Sequence, residues 1–321
     1  MKKILKVLGA PVLVVVLLVG GLALYIQLTG IPSYPVQKVE WRVEVTPERV
    51  ARGRKIASML CAECHLDPRT GQLTGRRMPD LPPQFGVAYS LNITQDREKG
   101  IGAWSDGEIA FLIRTGIARD GRYTPPWMPK LPGASDEELG SIIAFLRSDD
   151  PLVKASAVDD RPSEPSFLTK LLTHVAFKPF PYPQAPIVAP PRTDRVAYGR
   201  HLALNVLACF ACHSADFKTN DELSPEKSQG FFGGGNAMID ANAQPISTAN
   251  ITFDAETGIG RWTEGQFVRA LKEGFRPDRT PIVYPMQAYV ELEDEEARDI
   301  YAYLLTVPKL HNAVPLSLIH I

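Results

Sequence analysis

All four cysteines of the chain fall in two copies of one pattern, Cys-x-x-Cys-His: Cys61, Cys64 and His65 in "CAECH", and Cys209, Cys212 and His213 in "CFACH". Four chemistries use such a group. A thioredoxin-like redox pair needs a βαβ setting and gains nothing from the adjacent histidine. A structural zinc site needs four ligands, and each copy offers three nearby. A disulfide closing Cys-x-x-Cys is strained and removes little loop entropy. Covalent haem uses every residue. Two cysteines three apart on a helical turn form thioethers with the vinyl groups on one edge of the porphyrin, and the histidine that follows gives its imidazole to the iron. The pattern points to two haem c groups, one on Cys61, Cys64 and His65 and one on Cys209, Cys212 and His213.

The motifs belong to a longer repeat. "RVARGRKIASMLCAECH" (49–65) resembles "RVAYGRHLALNVLACFACH" (195–213), with two extra residues in the second copy. "NITQDREKGIGAWSDGEI" (92–109) matches "NITFDAETGIGRWTEGQF" (250–267) at an offset of 158, which also relates Gly116 to Gly274 and Met128 to Met286. The cysteines are offset by 148, so the second copy carries about ten more residues before its Asn-Ile-Thr, in the polar, Gly-rich stretch after His213.

The repeat narrows the search for a sixth iron ligand. Of the remaining histidines, His174, His201, His311 and His320, none has a counterpart in the other copy, and Lys55 occupies the place of His201. Among Met59, Met78, Met128, Met238 and Met286, only Met128 and Met286 correspond, both in Pro-containing turns, "PPWMPK" and "VYPMQA". A lone methionine is more often core filler than ligand. Here the pairing and the rigid turns favour ligation, and His/Met is the electron-transfer ligation that raises the potential. The expected metal ligands are His65 with Met128 and His213 with Met286, with Met78 and Met238 in reserve.

Helices must position these groups. Each copy reads as three. The first opens near Thr46-Pro47, or near Thr193-Asp194, and runs into the first cysteine. The middle one opens on a capping box, Ser105 with Glu108 or Thr263 with Gln266, and ends at Gly116 or Gly274. The last opens on another box, Ser135 with Glu138, and its partner runs from about Asp294 to Leu305. No period-two pattern persists, so the fold is expected to be all-α. Between the copies, residues 151–192 are dense in proline and read as an extended connector, with a short helical segment at Phe167–Phe177.

Ahead of the repeat, Lys2, Lys3 and Lys6 precede an uncharged run from Val7 to Ile26, long enough to span a bilayer and longer than the core of a cleaved signal. Lysines before the span favour an N-in orientation, with the remainder outside the cytoplasm. The expected organisation is an N-terminal membrane anchor (1–30), a first domain (46–150), a Pro-rich linker (151–192) and a second domain (193–310). A formal net charge of −1 gives no reason to expect a nucleic-acid partner. The tail, residues 315–321, follows no repeat pattern and receives no role.

With these residues in hand, each copy resembles the Class I cytochrome c domain. The whole pattern is similar to the membrane-associated diheme and triheme cytochrome c subunits of bacterial dehydrogenases. The resemblance implies two tandem cytochrome c domains behind a transmembrane helix, Met128 and Met286 as sixth ligands, and Asn92, Trp104, Asn250 and Trp262 around the haems. It implies electron relay on the periplasmic face of the bacterial inner membrane, between a dehydrogenase donor and a respiratory acceptor, by a protein that is not itself an enzyme. Two departures stand out: the alcohol-dehydrogenase subunits carry three motifs and this chain two, and no catalytic partner is encoded here. The rival reading is a diheme enzyme such as a cytochrome c peroxidase, which needs an open sixth position and a distal acid/base. Glu63 and Glu108 read better as a surface position and a helix cap.

Overall fold

The computed structural model describes residues 2–315 apart from 80, 241 and 243, with side chains from residue 11 onward. His320 and the rest of the tail beyond 315, and the side chains of Lys2, Lys3 and Lys6, lie outside the described residues.

Helix α1 is Lys2–Thr29. Its stretch Pro11–Thr29 is the one helix among the described residues long and apolar enough to cross a membrane, by length and composition. Its valines and leucines from Val12 to Leu24 stand exposed, while Ile26 near its end is buried.

Two sets of helices follow. The first comprises α2 (Pro47–Leu60), α3 (Ala62–His65), α4 (Asp106–Thr115) and α5 (Asp136–Leu146). After α6 (Phe167–Val175), the second comprises α7 (Arg195–His201), α8 (Cys209–His213), α9 (Glu264–Glu273) and α10 (Asp294–Leu304). The caps are those the sequence predicts. Thr46 caps α2 ahead of Pro47, Asp194 caps α7, and α4, α5 and α9 open on complete capping boxes. Gly116 and Gly274 close α4 and α9 in the left-handed conformation, at φ of 82° and 75°.

In each set the first and last helices cross in contact, α2 on α5 and α7 on α10. A glycine sits at each crossing. A Cβ on Gly53 would lie 1.8 Å from the Ser141 carbonyl oxygen, and one on Gly199 would lie 1.8 Å from that of Asp299. Only a residue without a side chain lets the backbones approach so closely. The two extra residues of the second copy are absorbed just before its motif, by a π-helical turn at Leu202–Val206 and by Ala208 in a left-handed conformation at φ 48°.

The apolar interior is continuous across both sets. Ile56, Met59, Leu139 and Ile142 from the first join Leu202, Val206, Leu292 and Ile300 from the second in one buried cluster. Met59 is thus core filler.

Two expectations need amendment. Short antiparallel strands do occur: β1 (Gly86–Val87) pairs with β2 (Glu164–Pro165), and β3 (Ala237–Ile239) with β4 (Pro245–Ser247). At two or three residues they are too brief to show alternation in sequence. Residues 151–192 are also more than a connector. Their backbone bonds back to the first set, with Leu73 N–H on Leu152 O at 2.8 Å, Gln95 N–H on Val153 O at 2.9 Å and Asp136 N–H on Ile187 O at 2.8 Å. Extended Pro-rich chain makes few bonds to itself, so its carbonyls serve neighbours.

Candidate functional site

Each Cys-x-x-Cys-His group forms a short helix placed by the helix before it, α2 for α3 and α7 with its π-turn for α8. No disulfide closes either pair. Burial pushes the thiols of Cys61 and Cys209 up to about 12 and that of Cys212 up to about 11, with the neighbouring Cys64 or Cys212 thiol, or for Cys212 the Glu222 carboxylate, adding to the rise. A redox pair needs the opposite, a thiolate at neutral pH. Among the described residues no three His, Cys, Asp or Glu side chains converge as a metal-binding group. The two sulfurs and the imidazole of each motif therefore do not gather into a zinc half-site. They suit attachment to separate points on a large flat ligand.

The histidines are prepared alike. The Nδ1–H of His65 donates to the Leu91 carbonyl at 2.7 Å, and that of His213 to the Ala249 carbonyl at 2.8 Å. Burial lowers the basicity of both rings, opposed by the carbonyl bond, so both are neutral at physiological pH. The bond at Nδ1 fixes the tautomer and leaves the Nε2 lone pair available to a metal.

What holds those carbonyls is the part sequence reading misses. Leu91 and Ala249 precede Asn92 and Asn250, which are buried. Each asparagine Oδ1 accepts from a threonine two residues on: Thr94 N–H at 3.0 Å and Oγ1–H at 2.7 Å, and Thr252 at 3.0 Å and 2.8 Å. Each Nδ2 reaches the chain beyond the last helix, donating to Ser156 and Val158 carbonyls from Asn92 and to the Leu310 carbonyl from Asn250. These residues clamp the segment that orients each histidine. Gly75 and Gly234 pack against the same segments, with their N–H groups on the His65 and His213 carbonyls at 2.8 Å and 2.7 Å. Both have positive φ, and a Cβ would meet Ser90 O at 2.3 Å or Ala249 C at 2.4 Å. The sequence signal was available only as the Asn-x-Thr triplet common to both copies.

The methionine turns are also built twice. Thr124 and Ile282 N–H bond the Gly116 and Gly274 carbonyls at 2.7 Å, and Leu131 and Tyr289 N–H bond the Ile113 and Leu271 carbonyls at 2.9 and 2.8 Å. Each turn is pinned on both sides to the middle helix. Met128 and Met286 are half-buried within them, and Met286 packs on the core. Met78 and Met238 are also half-buried, on the segments 76–90 and 237–247. Trp104 and Trp262 pack on the apolar cluster, and their carbonyls accept from Arg147 and from the Tyr301 hydroxyl.

The remaining histidines have other work. His201 is buried between the two sets, its Nε2–H on Glu138 at 2.8 Å. Lys55, its repeat counterpart, reaches Glu296 at 2.6 Å and Glu293 at 2.9 Å. His174 lies on α6 against the end of α1, and His311 is exposed, 3.5 Å from Asp254.

Residues 48–146 match the family model described as cytochrome C oxidase, cbb3-type, subunit III, a cytochrome c domain that carries haem c. The chain is 30% identical over 255 residues to the gluconate 2-dehydrogenase cytochrome c subunit of Pantoea cypripedii, covering 76% of this chain and 56% of that one. It is 27% identical over 280 residues to the alcohol dehydrogenase (quinone) cytochrome c subunit of Gluconobacter oxydans, covering 81% and 55%. It is 26% identical over 262 residues to a diheme cytochrome c-type protein of Cereibacter sphaeroides, covering 78% and 82%. The chain thus spans just over half the length of the two dehydrogenase subunits.

Proposed function

We propose that the chain is a membrane-anchored electron carrier with two tandem cytochrome c domains, each holding one covalent haem c. Cys61, Cys64 and His65 attach the first, and Cys209, Cys212 and His213 the second, with Met128 and Met286 as sixth ligands. One-electron exchange at the porphyrin edge is the chemistry that haem supplies when bound. The observation that supports this reading most is the doubled histidine arrangement, with Nδ1 committed to a backbone carbonyl in both motifs.

The chain's own residues do the rest. The four half-buried cysteines would take thioether bonds, and the raised thiols of Cys61, Cys209 and Cys212 do not suit them to thiolate chemistry. Asn92 and Asn250 fix the carbonyls that orient the histidines, and the pinned turns present Met128 and Met286. Cys61, Cys209 and Met286 pack against the shared apolar cluster, and a haem held there would be shielded from water, which would favour its less charged reduced state. Helix α1 confines the carrier to the membrane surface, facing the periplasm. Donor and acceptor are then a dehydrogenase and a respiratory cytochrome or oxidase, in keeping with the relatives named as dehydrogenase subunits.

A peroxidase would need a carboxyl free to act beside an open iron. Glu108 accepts the Ser105 N–H at 2.7 Å as a helix cap, and Glu63 lies 3.9 Å from Arg76. Neither favours that reading.

Met128→Ala and Met286→Ala are expected each to lower the midpoint potential of one haem by on the order of a tenth of a volt, within the ~0.8 V that axial ligation spans. Each should also let that haem bind carbon monoxide when reduced. Potentiometric titration with visible spectra reads both effects. Stoichiometric carbon monoxide binding by the reduced wild-type chain would overturn the closed, two-ligand assignment.

A further inference from the structure

Helix α6 is inverted in polarity. Its two threonines, Thr169 and Thr173, are fully buried, while Phe167, Leu168 and Val175 are 42%, 37% and 63% exposed. Leu171 and Leu172 are half-buried. At about 100° per residue, Phe167, Leu168, Leu171, Leu172 and Val175 share one arc of roughly 140°, and the threonines occupy the opposite side. The inward face is satisfied by hydrogen bonds. Thr169 Oγ1 donates to the Phe85 carbonyl and Thr173 Oγ1 to the Lys170 carbonyl, at 2.7 and 2.8 Å. A helix that turns its threonines to the protein and Phe167, Leu168 and Val175 outward is built for surroundings less polar than water.

The position of α6 says which surroundings those are. It packs on the last turns of α1. His174 Nε2–H donates to the Gly30 carbonyl at 3.0 Å, and Lys170 Nζ donates to Gln27 Oε1 at 3.2 Å. The Tyr25 ring meets the His174 ring edge-on at 6.0 Å. Tyr25 and Leu28 of α1 are themselves 57% and 77% exposed alongside. Residues 25–30 are where the apolar stretch of α1 ends, which in a spanning helix is the level of the lipid headgroups. Lys170 and His174 lie beside one edge of the apolar arc, and Lys178 follows the helix and donates to the His174 carbonyl, which leaves cations at the border of the apolar face.

We propose that α6 lies flat in the boundary between headgroups and acyl chains of the bilayer that α1 crosses, with Phe167, Leu168, Leu171 and Val175 in lipid. The proposal rests on α1 being a membrane anchor. One spanning helix leaves the attached body free to swing and rotate about it. A second, lying contact hydrogen-bonded to the first removes that freedom and sets the face that residues 46–150 present to partners at the membrane.

Site-directed spin labelling of the full haem-loaded chain in phospholipid nanodiscs tests this. Haem attachment consumes the native cysteines, so Leu168→Cys, Val175→Cys, Val188→Cys and Leu18→Cys each offer one labelling site. Val188 is 83% exposed on an irregular segment and reports water. Leu18, within α1, reports the anchor independently. All four residues are exposed in the protein, so substitution leaves the fold intact, which the haem spectrum verifies. On the reduced protein, labels at 168, 175 and 18 should be relaxed more by oxygen than by a water-soluble nickel complex, and the label at 188 the reverse. A label at 168 or 175 that behaves like 188, while 18 reports lipid, would overturn the lying helix and leave the anchor standing. It would mark the face as one awaiting a protein partner. A water-like label at 18 would overturn the anchor reading, and the proposal with it.

Discussion

Replacing Glu138 with alanine is expected to destabilise the chain by about 2–3 kcal/mol, the cost of leaving a buried hydrogen-bond donor without its acceptor and of losing a helix cap. Glu138 is 2% exposed. Its Oε2 accepts from His201 Nε2 at 2.8 Å, across the boundary between the two sets of helices, and from Ser135 N–H and Oγ–H at 2.8 Å each. Burial by itself would raise its pKa. The hydrogen bond and charge of His201, with the two Ser135 donors, overcome that and pull the carboxyl down to about 2. Alanine removes the capping box as well and strands His201 in the interface. Glu138→Gln retains the box and should lose less. The sign with pH follows from the depressed value. The contribution of Glu138 is complete above its unfolded pKa of about 4.5 and drains away as pH falls toward about 2. Denaturant unfolding of wild type should therefore weaken across that window by on the order of 3 kcal/mol from this group, and the glutamine variant should lack that component. The mirror contact is built alike: Glu296 is 5% exposed, accepts the Glu293 N–H at 2.9 Å as the box residue of α10, and meets Lys55 at 2.6 Å. Glu296→Ala should therefore also cost about 2–3 kcal/mol. A loss of stability at only one of the two positions would contradict this account of the boundary.

Gly199→Ala and Gly53→Ala carry the second large effect. The new methyl group would sit 1.8 Å from a carbonyl oxygen of the crossing helix, and 2.2 or 2.4 Å from its carbon. No side chain can rotate to relieve a clash with backbone, so α7 must move from α10, or α2 from α5. The cost should exceed the ~1–3 kcal/mol of ordinary overpacking and shift the presentation of the motif that each first helix carries. Gly140, on the same helix α5, is the internal control. A Cβ there meets nothing within 4 Å, and Gly140→Ala should stabilise by up to about 1 kcal/mol. Thermal unfolding distinguishes the opposite signs. A Gly53→Ala variant melting with the wild type would show that the crossing is looser than drawn.

The local signals in the sequence were strong where one residue type has one structural use. Thr46-Pro47, the capping boxes at Ser105 and Ser135, and the closing glycines 116 and 274 announced helix ends, because caps are satisfied within a few residues. The two Cys-x-x-Cys-His groups are equally local, and for that reason they suggest the ligand proposed for them. What acts through backbone stayed hidden. The carbonyls of Leu91 and Ala249 orient His65 and His213, and no side-chain pattern marks a carbonyl. Long-range pairings stayed hidden as well. His201 reads as an unmatched histidine until the fold sets it against Glu138, and Lys55 reads as its replacement until Glu296 appears opposite. The polarity of α6 was visible as residues, but which side faced inward depended on Phe85, far away in sequence.

The two-haem assignment is tested most directly by the intact mass of the chain purified from membranes, taken after acidified-acetone extraction. The account predicts the polypeptide mass plus two haem groups, both resisting extraction, with Cys64→Ser or Cys212→Ser each weakening one attachment only. A mass with a single haem, or haem that extracts completely, would contradict it.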